Sequence, residues 1–282
     1  LWFVIAADAY LAGPLGTVTA VDRRALEAGI DAIVAGYAAG TRHRIHADTD
    51  GLLACGEPGI QLTWMDARID GECITPRIGK PVEIQALWIN ALSIAGRREP
   101  RWAELATRAK ASFVARFWDP ERHQLHDVVD CDHVAGTFDA SCRPNQIFAV
   151  GLPVALVDGE IARAVVDTVE HFLATPAGLR TLSPHDPRYC GHYGGGPVER
   201  DRAYHNGPVW PWLMGVFVDA WIRVHGDQAE ARRRFVEPLL ARTEIAGLGH
   251  ISEICDGDAP HRPVGCPFQA WSVAEALRIS GP

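Results

Sequence analysis

A chain of 282 residues, 48% hydrophobic and 22% charged, has the makeup of a folded domain with a substantial core. Its net charge is −8 and it carries no basic run or stripe, which argues against nucleic acid and anionic membranes as partners. The apolar start, Leu1 to Leu11, contains Asp8, lacks a positive leader and is too short to span a bilayer, so it reads as a helix already under way in a chain truncated at its N-terminus.

Helical periodicity dominates from there on. Segment 1–12 is apolar all round, whereas 21–39 carries Leu26, Ile30, Ile33, Val34 and Tyr37 on one face and Arg23 and Arg24 on the other. Segment 82–96 is again apolar all round. It is followed by an amphipathic helix over 101–117, with Trp102, Leu105, Ala106, Ala109, Phe113 and Phe117 in one stripe. The alternation continues with apolar 144–156, amphipathic 160–174, apolar 208–224, a weaker helix near 227–243 interrupted by Pro238, and apolar 267–279. A helix without a polar face is normally surrounded by protein. Strict period-two alternation is nearly absent. Five enclosed helices alternating with four amphipathic ones predict an inner and an outer layer, an all-α fold of the α/α-barrel kind spanning 1–282 as one domain.

Connections out of inner helices are short, as in Gly96–Pro100, whereas those leading into them, roughly 40–81, 118–143, 175–207 and 244–266, are long and rich in Gly, Pro, Asp, His and Trp. Long structured loops in a compact domain are usually functional. All four would emerge at the end where the inner helices begin, so a site is expected there. Seven cysteines show neither a zinc-like spacing nor a disulfide framework, which predicts reduced thiols, a cytoplasmic protein and no metal or cofactor.

The loops present a mixture suited to sugar hydroxyls, each of which both donates and accepts. The first junction offers Asp48, Asp50, Trp64, Asp66, Arg77, Lys80 and Glu83; the second offers Arg143, Asn145 and Gln146. The third brings Arg200, Asp201, Tyr204, His205, Asn206, Trp210 and Trp212, and the fourth brings Glu253, Asp256, Asp258, Gln269 and Trp271. Helix capping and loop-internal salt bridges are the alternative employment of such residues. Nine tryptophans against five tyrosines are unusual, and several sit beside Gly, Asn, Asp or Pro. Indoles offer flat faces to the C–H faces of a sugar ring. Two acids in Trp- and Gly-rich loops, Asp66 and Glu253, are equipment for breaking a glycosidic bond: one protonates the leaving oxygen, the other activates water. No G-x-S-x-G elbow supports a serine hydrolase, and His205 and His250 read as loop hydrogen-bonders.

Five stretches carry a specific resemblance: Leu62-Thr63-Trp64-Met65-Asp66-Ala67, Thr75-Pro76-Arg77-Ile78-Gly79-Lys80 through Trp88, Arg143-Pro144-Asn145-Gln146, Tyr204-His205-Asn206-Gly207-Pro208-Val209-Trp210-Pro211-Trp212, and Glu253-Ile254-Cys255-Asp256-Gly257 with Gln269-Ala270-Trp271-Ser272. In order and over nearly the whole chain, these resemble the C-terminal amylo-α-1,6-glucosidase domain of glycogen debranching enzymes. The resemblance implies an (α/α)6 barrel whose first helices lie outside this chain. It also implies inverting hydrolysis of α-1,6-linked glucose at branch points of glycogen or limit dextrin. By the same resemblance Asp66 would be the general acid and Glu253 the general base. An acid in that role calls for a raised pKa at Asp66. Two alternatives stay open: another α/α-barrel glycosidase acting on trehalose, a glucoside or a mannoside, and a carbohydrate-binding barrel without catalysis.

Overall fold

A computed structural model describes residues 1–13 and 18–281. In chain order its α-helices are α1 (Trp2–Ala12), α2 (Ala20–Ala39), α3 (Val82–Gly96), α4 (Pro100–Phe117), α5 (Phe148–Gly151), α6 (Gly159–Leu173), α7 (Pro197–Ala203), α8 (Leu213–His225), α9 (Gln228–Ala231), α10 (Glu237–Ala241) and α11 (Ala270–Ser280). Local chemistry sets several boundaries. Thr19 and Asp22 form a reciprocal capping box at the start of α2, Pro100 occupies the first turn of α4, and Gly226 ends α8 in the left-handed conformation at φ 74°. A 3-10 turn, Pro144–Ile147, leads into α5, which stops at Gly151 rather than at the expected 156. Pro153 follows, and a proline disfavours helix for the residue before it. Before Pro238 the helix widens into a π-turn, Arg232–Val236, consistent with the N–H that proline lacks.

The helices form two layers. α1, α3, α5, α8 and α11 follow one another side by side as an inner arc, while α2, α4, α6 and the α9–α10 segment pack on its outside. α3 is enclosed on all faces: Val82, Glu83, Gln85 to Leu92, Ile94 and Ala95 are buried. α4 and α6 bury a single stripe. The end members of the arc depart from the sequence expectation. α1 buries only Val4 and Ala7 and exposes Trp2, Phe3 and Tyr10; α11 buries only Ser272 and Ala276. Each occupies an end of the arc, with α1 resting on α2 and α3, and α11 resting on α8 and the π-turn.

The long loops correct the expectation of an all-α chain. They contain two- and three-residue strands in five small antiparallel sheets among the described residues. These runs are too short to leave a period-two signal. The largest sheet joins, in order, Ala174–Thr175, Gly178–Arg180, Val209–Trp210, Ile254–Cys255 and Pro263–Val264. Val209 pairs with Cys255 across it, so the loop before α8 is tied to the loop that bears Glu253. Among the described residues no helix is long and apolar enough to cross a membrane.

Candidate active site

The inner helices begin at one end, and there the loops build two polar networks, the first of them buried and joined to a layer of aromatic rings. In the first, Arg77 donates to Asp127 through Nε (2.8 Å) and Nη2 (3.0 Å) and to Glu83 through Nη2 (2.6 Å). Burial opposes the Arg77 charge, but Asp127 and Glu83 outweigh it and raise its pKa. The Asn145 amide donates to Asp127 at 2.7 Å, and its oxygen accepts the Trp64 indole N–H at 2.8 Å. Arg143 donates to the carbonyls of Thr181 (3.1 Å) and His205 (2.7 Å) and to the Asn206 side chain (3.0 Å). Gln146 accepts the Leu125 N–H and donates to the Arg143 carbonyl, both at 3.1 Å. Arg77, Glu83, Asn145, Gln146 and Asn206, read from sequence as ligand-facing, thus bond the protein's own loops, and through Asn145 they fix the orientation of Trp64.

The second network is built on Lys80. Its buried ammonium lies 2.8 Å from Asp48, 2.8 Å from Asp50 and 3.1 Å from Asp130, while Arg116 bridges Asp50 and Asp130 from the other side. The hydrogen bond from Lys80 is the main cause holding the Asp48 carboxyl down at about 2. Asp48, Asp50 and Lys80 are therefore members of a loop-internal ion network. Gly79, between the two networks, has φ +124°, and a Cβ there would stand 2.4 Å from the Asp130 carbonyl. Only glycine lets Arg77 and Lys80 turn into separate networks. Asp127, Asp130 and Arg116 are the members that sequence reasoning missed. The available signal was an acid inside the apolar run Leu125-His126-Asp127-Val128-Val129.

Above the networks the rings are contiguous. Trp64 meets His205 (centroids 5.2 Å), Trp210 (5.2 Å) and Trp212 (5.3 Å) edge-on. His205 stacks on Trp210 at 5.2 Å, Tyr204 packs on both, and Trp271 stacks on Trp212 at 5.2 Å. A cavity of about 470 Å³ opens beside this cluster, walled by Trp2, Tyr37, Trp64, Phe148, Trp212 and Trp271, with Glu83 and Glu275 as its acids.

Neither Asp66 nor Glu253 is among the residues that wall this cavity. Both carboxylates nevertheless reach the same aromatic cluster. The Asp66 side chain is 67% exposed and its Oδ1 lies 3.6 Å from Nε2 of His205, whose own side chain is wholly buried. Glu253 is held by the Cys266 N–H (3.1 Å) and the Gln269 amide (3.3 Å), and its charge acts on the Tyr204 phenol. A Cβ on Gly265, itself at φ +70°, would stand 2.7 Å from the Glu253 carboxylate, so a glycine keeps that space open. Asp201 sits on α7, where its charge acts on Tyr193.

The electrostatics correct one expectation. Asp66 is not raised. The His205 edge, first of all, holds its carboxyl below the usual range, against a smaller opposing effect of partial burial. His205 is itself lowered, chiefly by burial, and stays neutral near pH 7. Neither His205 ring nitrogen has a partner within ordinary bonding distance, and the Asp66 carboxylate stands 3.6 Å from Nε2. Burial and then Glu253 push the Tyr204 phenol up, which keeps it protonated and a donor.

Known proteins share the sequence and the fold of this chain in part. The glycogen debranching enzyme of Saccharomyces cerevisiae is 28% identical over an alignment covering 83% of this chain and 19% of that protein, so the chain spans about a fifth of its curated relative. A GH78 family rhamnosidase of Bacillus sp. GL1 superposes with a TM-score of 0.59 at 15% identity, covering 99% of this chain and 25% of that one. The GH63 mannosylglycerate hydrolase of Thermus thermophilus, solved with glucose, gives 0.53 at 19% identity, over 71% of this chain and 47% of the other. At these identities the two structures share a fold with this chain and nothing more is carried over. Residues 1–278 match the amylo-alpha-1,6-glucosidase family, and the chain belongs to that family of glycoside hydrolases.

Proposed function

We propose that the chain hydrolyses α-1,6-linked glucose at branch points of glycogen or limit dextrin with inversion, Asp66 acting as general acid and Glu253 as general base, and that its helical arc is part of an (α/α)6 barrel formed by 1–282 as one domain. The observation that carries this reading is that Asp66 and Glu253, far apart in sequence, both act on one aromatic cluster, Asp66 at 3.6 Å from His205 and Glu253 through its charge on the neighbouring Tyr204 phenol. Glu253 draws a proton from water on one face of the anomeric carbon while Asp66 protonates the leaving oxygen on the other, with carboxyl groups about 6.5–9.5 Å apart. Asp66 is deprotonated too readily for this role while water covers it. A sugar placed over its exposed carboxyl removes that water, and desolvation raises a carboxyl pKa. Trp64 and Trp271 offer faces for stacking beside the two acids. Seven free cysteines fit a reducing, cytoplasmic setting.

The test is glucose release from a limit dextrin whose branches are trimmed to single α-1,6-linked glucose residues, with the anomer formed first followed by NMR. Inversion gives β-glucose. Asp66→Asn and Glu253→Gln each lower turnover about 10²–10⁴-fold. Normal turnover in either variant, or α-glucose as first product, overturns the assignment. The fold shared with the mannosylglycerate hydrolase favours one second reading, a glycosidase of other specificity. A panel of limit dextrin, mannosylglycerate, trehalose and an aryl rhamnoside decides between the two by relative kcat/KM.

A further inference from the structure

Tyr204 and His205 are consecutive residues just past α7, and each faces a different carboxylate. Nε2 of His205 lies 3.6 Å from Asp66, and the Glu253 carboxylate acts on the Tyr204 phenol, helping to hold it protonated. Their backbone is clamped from both sides. The Trp210 indole donates to the Tyr204 carbonyl at 3.1 Å, Arg143 donates to the His205 carbonyl at 2.7 Å, and the Tyr204 N–H closes on Arg200 at 3.0 Å. The Asn206 carbonyl that follows accepts the Cys190 N–H at 2.6 Å. The side chains are confined as well, His205 between Trp64 and Trp210, Tyr204 against Trp210 and Tyr193. Both His205 ring nitrogens are buried and unpartnered, while Asp66 is exposed enough to move. An unsatisfied buried donor is costly, and a small rotation of Asp66 onto Nε2 relieves it.

We propose that Tyr204 and His205 act as one positioning element that sets the separation and facing of the two carboxylates. This rests on the acid and base assignment above. His205 donates from Nε2 to one Asp66 oxygen, turns the other, proton-bearing oxygen toward the leaving group, and steadies the carboxylate left after proton transfer. Tyr204 donates to Glu253 and keeps its free lone pair on the water side. The groups facing this element are Asp66, Glu253 and, across the buried network, Arg143 and Arg77.

The two halves are separable by leaving group. A glycosidic oxygen needs protonation to depart, whereas fluoride needs little. His205→Phe should therefore lower kcat on limit dextrin about 10- to 100-fold and on α-glucosyl fluoride about threefold or less, since it acts through the acid. Tyr204→Phe acts through the base and should lower kcat on both substrates by a similar factor, about tenfold. His205→Gln retains an N–H donor near the Nε2 position and should recover most of the limit-dextrin rate. Equal losses on both substrates for His205→Phe, or no rescue by Gln in a variant with the wild-type circular dichroism spectrum, overturn the positioning role. Asp66→Asn and Glu253→Gln run in parallel keep the two ideas apart. If they retain turnover the acid and base assignment fails; if they lose it while the His205 and Tyr204 variants do not follow the pattern, only the positioning element fails.

Discussion

Asp127→Asn removes one formal charge from a site that solvent does not reach and leaves the volume unchanged. In the native network two guanidinium groups, Arg77 and Arg143, stand with two carboxylates, Glu83 and Asp127, with all four side chains almost wholly buried. Asp127 accepts both Arg77 bonds at 2.8 and 3.0 Å and the Asn145 bond at 2.7 Å. The substitution leaves one cation without compensation and presents amide hydrogens to Arg77 or Asn145. Breaking a buried pair by removing one partner typically costs about 3–5 kcal/mol, several times the value of a surface pair. Equilibrium urea unfolding should show the midpoint falling with the slope unchanged. A cycle with Arg77→Met should give a coupling of about 0.5–3 kcal/mol, as expected for contacting residues. A loss below about 1 kcal/mol, the range of exposed pairs, would refute the reasoning that this network holds the loop end together.

Other substitutions probe separate parts. Trp64→Phe deletes the 2.8 Å bond to Asn145 and leaves a buried amide oxygen short of a donor, an expected loss of about 1–3 kcal/mol in urea unfolding. Gly265→Ala places a methyl group against the Glu253 carboxylate, with Ile254 also 2.8 Å away; kcat on limit dextrin should fall about tenfold or more through misplacement of the base. Asp48, lowered from 3.8 to about 2, gives a pH test. In the unfolded chain it takes up its proton at higher pH than in the fold, so its contribution is complete above pH 3.8 and is lost as pH falls through about 2. Asp48→Asn should lose stability less steeply over that window, with the two proteins converging at its acid end.

Much of the architecture was legible because it rests on periodicity. α3, α4 and α6 fall within one or two residues of the segments read from apolar spacing, since an enclosed helix and a striped one leave different patterns over fifteen residues. Burial of α1 and α11 was not legible: composition says that a helix is apolar, not how many neighbours cover it. α7 escaped because Pro197–Ala203 has no apolar stripe, only Pro at its start and Arg in its last turn. At the site, the stretches that carry Asp66, Tyr204, His205 and Glu253 could be picked out, yet their employment could not. Asp48, Asp50 and Lys80 have the chemistry to hold hydroxyl groups, and what turns them into a closed ion network is Arg116, from the last turn of α4, and Asp130, from the loop beyond it. The neutral state of His205 likewise depends on a burial that no local pattern announces.

The two acids are anchored unequally. Glu253 stands beside a strand of the five-stranded sheet, with amides from Cys266 and Gln269 gripping it, whereas Asp66 projects from an irregular loop, mostly in solvent. In the mechanism proposed here, the water-activating half is stiff and the half that meets the departing group is compliant. Divergence of residues around 61–74 would then adapt such a scaffold to departing groups of new shape, without disturbing the face on which water attacks.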